Sequence, residues 1–170
     1  MNRFAALSLS AALLTCLGHA HADVLEGKVV GVTDGDTVTI LVDRREVKVR
    51  VAGIDAPEKK QPFGQRSKEH LSACAFGKSV AVEWSKTDRY GRTIGKVIVD
   101  GVDCGLRQVQ DGFAWHYKAY AKEQSATDRV TYAEAESQAV THKSGLWSDP
   151  HPIPPWEFRH PASHSLNRSL

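Results

Sequence analysis

Two acidic clusters and two arginines in this sequence are of types that can do chemistry together. Asp34-Gly35-Asp36-Thr37 puts two carboxylates within three residues. Taken alone it is a turn, because Asp-Gly favours one. Its carboxylates are also the hard oxygen donors that Ca²⁺ accepts, although the EF-hand pattern, with its glutamate at the twelfth loop position, is absent. In Asp55-Ala56-Pro57-Glu58 two carboxylates flank a rigid proline bend, so one can bind a metal while the other activates water. Alone it also reads as an exposed polar loop. Arg50 stands five residues before Asp55, and Asp88-Arg89-Tyr90-Gly91-Arg92 is a tight turn that projects Arg92. Guanidinium groups bind phosphate oxygens through paired hydrogen bonds. The combination suits phosphodiester hydrolysis. The arginines offset charge building on phosphorus, a metal polarises a phosphoryl oxygen, and Glu58 positions and deprotonates water.

These groups need a frame that holds them together. Residues 24–32, 37–42 and 46–51 read as strands, the last alternating polar and apolar side chains. Asp43-Arg44-Arg45 is a short polar break, so the second and third runs form a hairpin or meander. Pro57 and Pro62 bracket a loop. Residues 65–76 form a helix closed by Gly77, residues 79–84 and 93–99 are strands, and residues 104–110 and 127–141 are helices. The order β-β-β-α-β-β-α-α predicts an α+β, mainly β fold: a five-stranded Greek-key barrel of the OB type with three helices.

The chain divides into three parts. Arg3, an uncharged Ala- and Leu-rich run over residues 4–17 and the small-x-small site Ala20-His21-Ala22 read as an export signal, residues 1–22. The apolar run is too short for a stable membrane span, and no span is expected after the signal. Thr15 is a poor residue before Cys16, which argues against a lipid anchor there. A periplasmic or secreted protein is expected. Residues 23–148 form the domain, and residues 149–170, with five of the seven prolines, form an extended tail that wraps the surface or stays mobile. The formal net charge is only +2, yet residues 44–96 hold 13 Lys and Arg against six Asp and Glu. That distribution suits an anionic partner on one face, or a solvated sheet face.

The residues from Arg50 to Glu58, the Asp34–Thr37 turn and the Asp88–Arg92 turn, in this order and spacing, resemble the thermonuclease family of staphylococcal-nuclease-like domains. Gly112-Phe113-Ala114-Trp115 and Gly145-Leu146-Trp147 extend the likeness across residues 24–147. The resemblance implies an OB-fold barrel and a Ca²⁺-dependent endonuclease acting on DNA, and RNA with it, to leave 3′-phosphates. It implies Asp36, Asp55 and the Ala56 carbonyl as metal ligands, with Asp34 acting through water. It makes Glu58 the general base, and Arg50 and Arg92 the phosphate clamps. Arg89 and Tyr90 match residues beside the nucleotide's terminal phosphate, and Tyr120 matches a base-stacking tyrosine. Lys118 replaces a second family tyrosine, Ala56 a threonine, and the loop after Glu58 is shorter, so substrate preference is expected to differ. On the family's fold Cys74 and Cys104 lie near each other, which implies a disulfide or two buried thiols. A monomer with no stable protein partner is expected.

Other chemistries lack their residues. The histidines show no His-x-x-x-His or mixed Cys/His spacing for zinc, and neither a Gly-rich phosphate loop nor a Gly-x-Ser-x-Gly elbow occurs. Two rivals are a non-catalytic OB module binding nucleic acid or protein, and a surface adhesion domain using the Pro-rich tail. Degenerate modules of the first kind lose carboxylates or arginines; all are retained here.

Overall fold

The structure is a computed structural model and describes residues 23–160. The export signal expected over residues 1–22, with Cys16, and the tail beyond residue 160 lie outside the described residues. Five strands close into a barrel: β1 (Asp23–Asp34), β2 (Thr37–Val42), β3 (Arg45–Val51), β5 (Ser79–Thr87) and β6 (Thr93–Val99). Sheet order runs β3-β2-β1-β5-β6, with β3 and β6 pairing to complete the ring. Two-residue strands β4 (Ile54–Asp55), β7 (Val102–Asp103) and β8 (Trp115–His116) lie outside the ring.

β1 is long because it serves both halves of the barrel. Residues 28–34 pair with β2 and residues 23–28 with β5, and register shifts after Val29 and Val32 bend it between them. β2 and β3 meet through Asp43-Arg44, with both φ values positive (45° and 67°). This is the twist that a two-residue hairpin requires. The parallel β3–β6 pairing sets Arg50 opposite Ile94 and Val51 opposite Gly95. Alternate residues point inward, and Val29, Val38, Ile40, Val49, Val51, Val82 and Val97 fill the interior.

Helices cover the barrel's open end. α1 (Gly64–Ala75) buries Ser67, Leu71 and Ala75. α2 (Cys104–Gln110) starts at Asp103, whose side chain accepts from the Gly105 and Leu106 amides at 2.9 and 3.1 Å. α3 (Ala126–Thr141), capped by Ser125, buries Tyr132, Ala135, Glu136 and Ala139, one stripe at helical spacing. Cys74 and Cys104 are joined by a disulfide across 30 residues, tying the end of α1 to the start of α2. In the chain-entropy picture such a loop stabilises by about 4 kcal/mol.

The tail departs from a purely extended segment. After a 3₁₀ turn at Gly145–Ser148, it runs extended and then forms one helical turn, α4 (Pro155–Phe158). Proline at the first helical position has its φ already set for this. Thus a fourth short helix joins the three expected. No helix among the described residues is long and apolar enough to cross a membrane.

Candidate active site

The site is built on two turns at one rim of the barrel. Asp36 sits in the β1–β2 loop. Gly35 beside it has no room for a side chain, since a Cβ would meet Ala56 at 2.7 Å and the Ser67 Cβ at 2.8 Å. Its carbonyl accepts from the buried Gln108 amide at 2.7 Å. The loop is therefore pressed against α1 and against the segment carrying Asp55. Asp55 lies on β4, which leaves β3 through a bend at Gly53 (φ 76°) and pairs with β8, Asp55 opposite Trp115.

Arg50 joins the two acids. It leaves β3 on the outer face of the barrel and forms ion pairs with Asp36 Oδ2 at 3.0 Å and Asp55 Oδ1 at 2.9 Å. It also donates to the carbonyl of Ile54 at 3.1 Å. Asp36 Oδ2 accepts in addition from the Ala56 amide at 2.8 Å, which fixes Ala56 beside it. Asp55 is fully buried and Asp36 nearly so. Burial pushes the Asp55 carboxyl up, against the pull of Arg159 and Arg50. Asp34, whose Oδ1 accepts from the Asp36 amide at 3.1 Å, is pushed up to about 6, by burial first and the Asp36 charge second. Among the described residues no group of three or more His, Cys, Asp and Glu side chains is arranged to hold a metal ion. The two acids tied by Arg50 are the carboxylate set here.

Glu58 follows in a run of tight turns. Its amide donates to Gln61 Oε1 at 3.0 Å, and its carbonyl accepts from the Gln61 amide at 2.8 Å. The Glu58 side chain is 38% exposed, at the mouth of the site. One guanidinium, that of Arg159, reaches both Asp55 and Glu58. The two carboxylates therefore lie within the width of a single planar group.

Arg92 is positioned locally. Asp88 accepts from the Tyr90 and Arg92 amides at 2.9 and 3.0 Å and takes the Arg92 guanidinium through Nε and Nη2, both at 2.8 Å. Arg92 stands two residues before Ile94, the partner of Arg50 across the β3–β6 seam, and so lies at the start of that seam. A cavity of about 410 Å³ opens beside it, lined by Glu46, Lys48, Tyr90 and Arg92. Arg89 donates to the Tyr90 hydroxyl at 2.7 Å and covers its ring, while Tyr90 is largely exposed. The ring of Tyr120 is half-exposed, under the Lys86 ammonium at 5.7 Å and next to Tyr117.

A family model described as staphylococcal nuclease homologue matches residues 48–149, which include Arg50, Asp55, Glu58 and Arg92. This chain belongs to that family. Several relatives carry nuclease names. A protein of Escherichia coli O157:H7 named "Uncharacterized endonuclease" is 42% identical over 137 residues, 80% of this chain and 86% of its own length. A "Micrococcal nuclease" of Shigella flexneri is 39% identical over 157 residues, covering 87% of each chain. "Protein ParB" of Escherichia coli is 38% identical over 167 residues, 92% of each. As a staphylococcal nuclease homologue, the protein is a hydrolase that cleaves phosphodiester bonds of nucleic acid. The closed mixed barrel with its helices agrees with that membership.

Some side chains sit apart from the nest of acids. Lys118 is turned onto the carboxylate of Glu136, which also accepts from the His116 amide at 3.0 Å. Trp115 and His116 are buried, so neither offers a face to a base. Sequence reasoning missed Arg159, and with it Gln61. Nothing in a Pro-rich tail signals a contact made about a hundred residues away.

Proposed function

We propose that the protein is an exported, Ca²⁺-dependent endonuclease of DNA and RNA, acting at single-stranded or frayed sites and leaving 3′-phosphates. The observation that carries this reading is Arg50 bound to both Asp36 and Asp55, with Glu58 one guanidinium's width from Asp55. Asp36 and Asp55 are buried, and Asp34 stands beside Asp36, so three carboxylates gather at this pocket. Its donors are all oxygens, which fits a hard divalent cation. Asp36, Asp55 and the Ala56 carbonyl would hold it. When bound, the cation supplies charge that polarises a phosphoryl oxygen.

The chain's own residues do the rest. Glu58, open to solvent, orients a water molecule and takes its proton on a carboxylate oxygen. Arg50 and Arg92 bind the phosphate. Their hydrogen bonds strengthen as charge builds on its oxygens, and Arg92 also helps at the leaving oxygen. Tyr120 offers a ring for stacking, and Arg89 with Tyr90 lines the approach to the phosphate. The Cys74–Cys104 disulfide supports an oxidising compartment, in keeping with the export signal read in residues 1–22.

The test is cleavage of single-stranded DNA, duplex DNA and RNA by purified protein across a panel of divalent metals and chelator, with end-group analysis. Cleavage in millimolar Ca²⁺ that stops on chelation and yields 3′-phosphates is expected. Intact single-stranded DNA under those conditions would overturn the reading.

A further inference from the structure

The tail does more than cover the barrel. Three contacts seat it beside the site. The Gln61 side chain, buried, accepts from the Glu58 amide through Oε1 and donates through Nε2 to the carbonyl of Ile153. One glutamine thus ties the loop of Glu58 to the tail. Pro155 is buried. Trp156 stacks on Tyr117 at 5.6 Å, with planes 16° apart, and meets Trp115 edge-on at 6.3 Å. The α4 turn then delivers Arg159 onto the carboxylates. Its Nη2 donates to Asp55 Oδ2 at 2.8 Å, and its Nη1 to Asp55 Oδ1 at 3.2 Å and Glu58 Oε1 at 2.7 Å.

This arrangement blocks the chemistry proposed above. With Arg50 on Oδ1 and Arg159 on both oxygens, Asp55 accepts three hydrogen bonds from two cations. A metal ion sharing Asp55 would stand against the Arg159 guanidinium, and two cations so close repel, so its binding favours release of Arg159. Glu58 is paired to the same guanidinium, so the oxygen that would meet a water is already accepting from Arg159. We propose that the C-terminal tail is an intramolecular inhibitor: Arg159 stands in for the cation at Asp55 and holds Glu58, and cation binding favours its release. The proposal rests on the reading of Asp55 as a metal ligand and Glu58 as the base.

Release is within easy reach of a ligand. The Arg159 side chain is 38% exposed, so water and salt already compete for its ion pairs. Apparent cation affinity is then the intrinsic affinity reduced by the fraction of molecules with the tail open. A tail open about one-tenth of the time weakens binding about tenfold.

The experiment is calorimetric titration of CaCl₂ into the full-length protein and into Arg159→Ala, without nucleic acid. Tryptophan fluorescence is followed in the same titration, because Trp156 reports the stacking on Tyr117. Arg159→Ala is expected to bind Ca²⁺ about 3- to 10-fold more tightly than the parent. Trp156→Ala, which loosens the tail without touching the carboxylates, should shift affinity in the same direction. At limiting Ca²⁺ both variants should cut single-stranded DNA faster than the parent, and the advantage should fade at saturation. Equal Ca²⁺ affinity in parent and Arg159→Ala overturns the inhibitory tail while leaving the cation site standing. Absence of Ca²⁺ binding in all three overturns the cation site, and the tail proposal with it.

Discussion

Arg50 and Arg92 each grip a carboxylate, but very different amounts of the fold hold them there. Arg50 meets Asp36 and Asp55, carried on the β1–β2 loop and on β4. Arg92 meets Asp88, four residues earlier in the same turn. The carboxylates respond in opposite directions. Burial dominates at Asp55 and pushes its carboxyl up despite Arg159 and Arg50. At Asp88 the cost of burial is outweighed by hydrogen bonds from Arg92 and the Tyr90 amide, and its carboxyl is held below the usual range. The Asp88–Arg92 turn satisfies itself. The nest around Arg50 is assembled from distant segments, and Arg159 of the tail completes its ion pairs.

The contrast breaks most sharply at Arg50. Arg50→Ala leaves buried Asp36 without its ion pair and Asp55 with Arg159 alone, so the metal-free protein should lose about 3–5 kcal/mol in urea unfolding. Cleavage of single-stranded DNA should fall by at least about 10²-fold. Unfolding at the parent's midpoint would show that the acids do not depend on Arg50. Glu58→Gln separates chemistry from stability: a rate loss of about 10²-fold with unfolding free energy unchanged to within about 0.5 kcal/mol. Near-normal turnover would remove Glu58 from the role of base.

The local turn should respond more mildly. Asp88→Asn frees the Arg92 guanidinium from its paired bonds, and kcat/KM should fall about tenfold. Calcium affinity should stay at the parent value, since the nest is built without this turn; a matching loss of affinity would mean that the two regions are coupled. The smallest effect is a pH dependence. The Asp88 pKa is depressed from 3.8 on folding, so its contribution is fully present above that value and is lost as pH falls through the lower, folded value. The difference in thermal midpoint between parent and Asp88→Asn should therefore close as pH is lowered below about 4. A gap that persists in acid would trace to packing rather than charge.

Legibility followed the same division. β2, β6 and α2 have the bounds that periodicity and turn residues assign them. The tight turn projecting Arg92 was readable because Asp88 and Gly91 act within it. β4, β7 and β8 left no periodic signal, since two residues cannot show a period. They exist because neighbouring segments bring a partner strand alongside. The acids and arginines of the nest were legible as residue types, and their joint geometry was not. Asp36 is fixed by the amide of Ala56, 20 residues on, and Gly35 by the side chain of Gln108, 73 residues on. Position 118 shows the limit of carrying a role by alignment, for Lys118 is drawn to the nearby Glu136.

By itself the sequence determined the inventory and the local bends: strand alternation, the Asp43-Arg44 hairpin, the self-bonded turn at Asp88, and enough oxygen donors and guanidiniums for phosphodiester chemistry. Propensity, periodicity and turn hydrogen bonds act over a few residues, and each is written where it acts. Tertiary structure alone decided which of these groups meet. Parallel pairing of β3 with β6 closes the ring and brings the Asp88–Arg92 turn to the strand that carries Arg50. The tail brings Arg159 onto Asp55 from 104 residues away. Such meetings need burial of the barrel core to outweigh the entropy of closing long loops. That balance belongs to the whole chain, and no short stretch of it carries the signal.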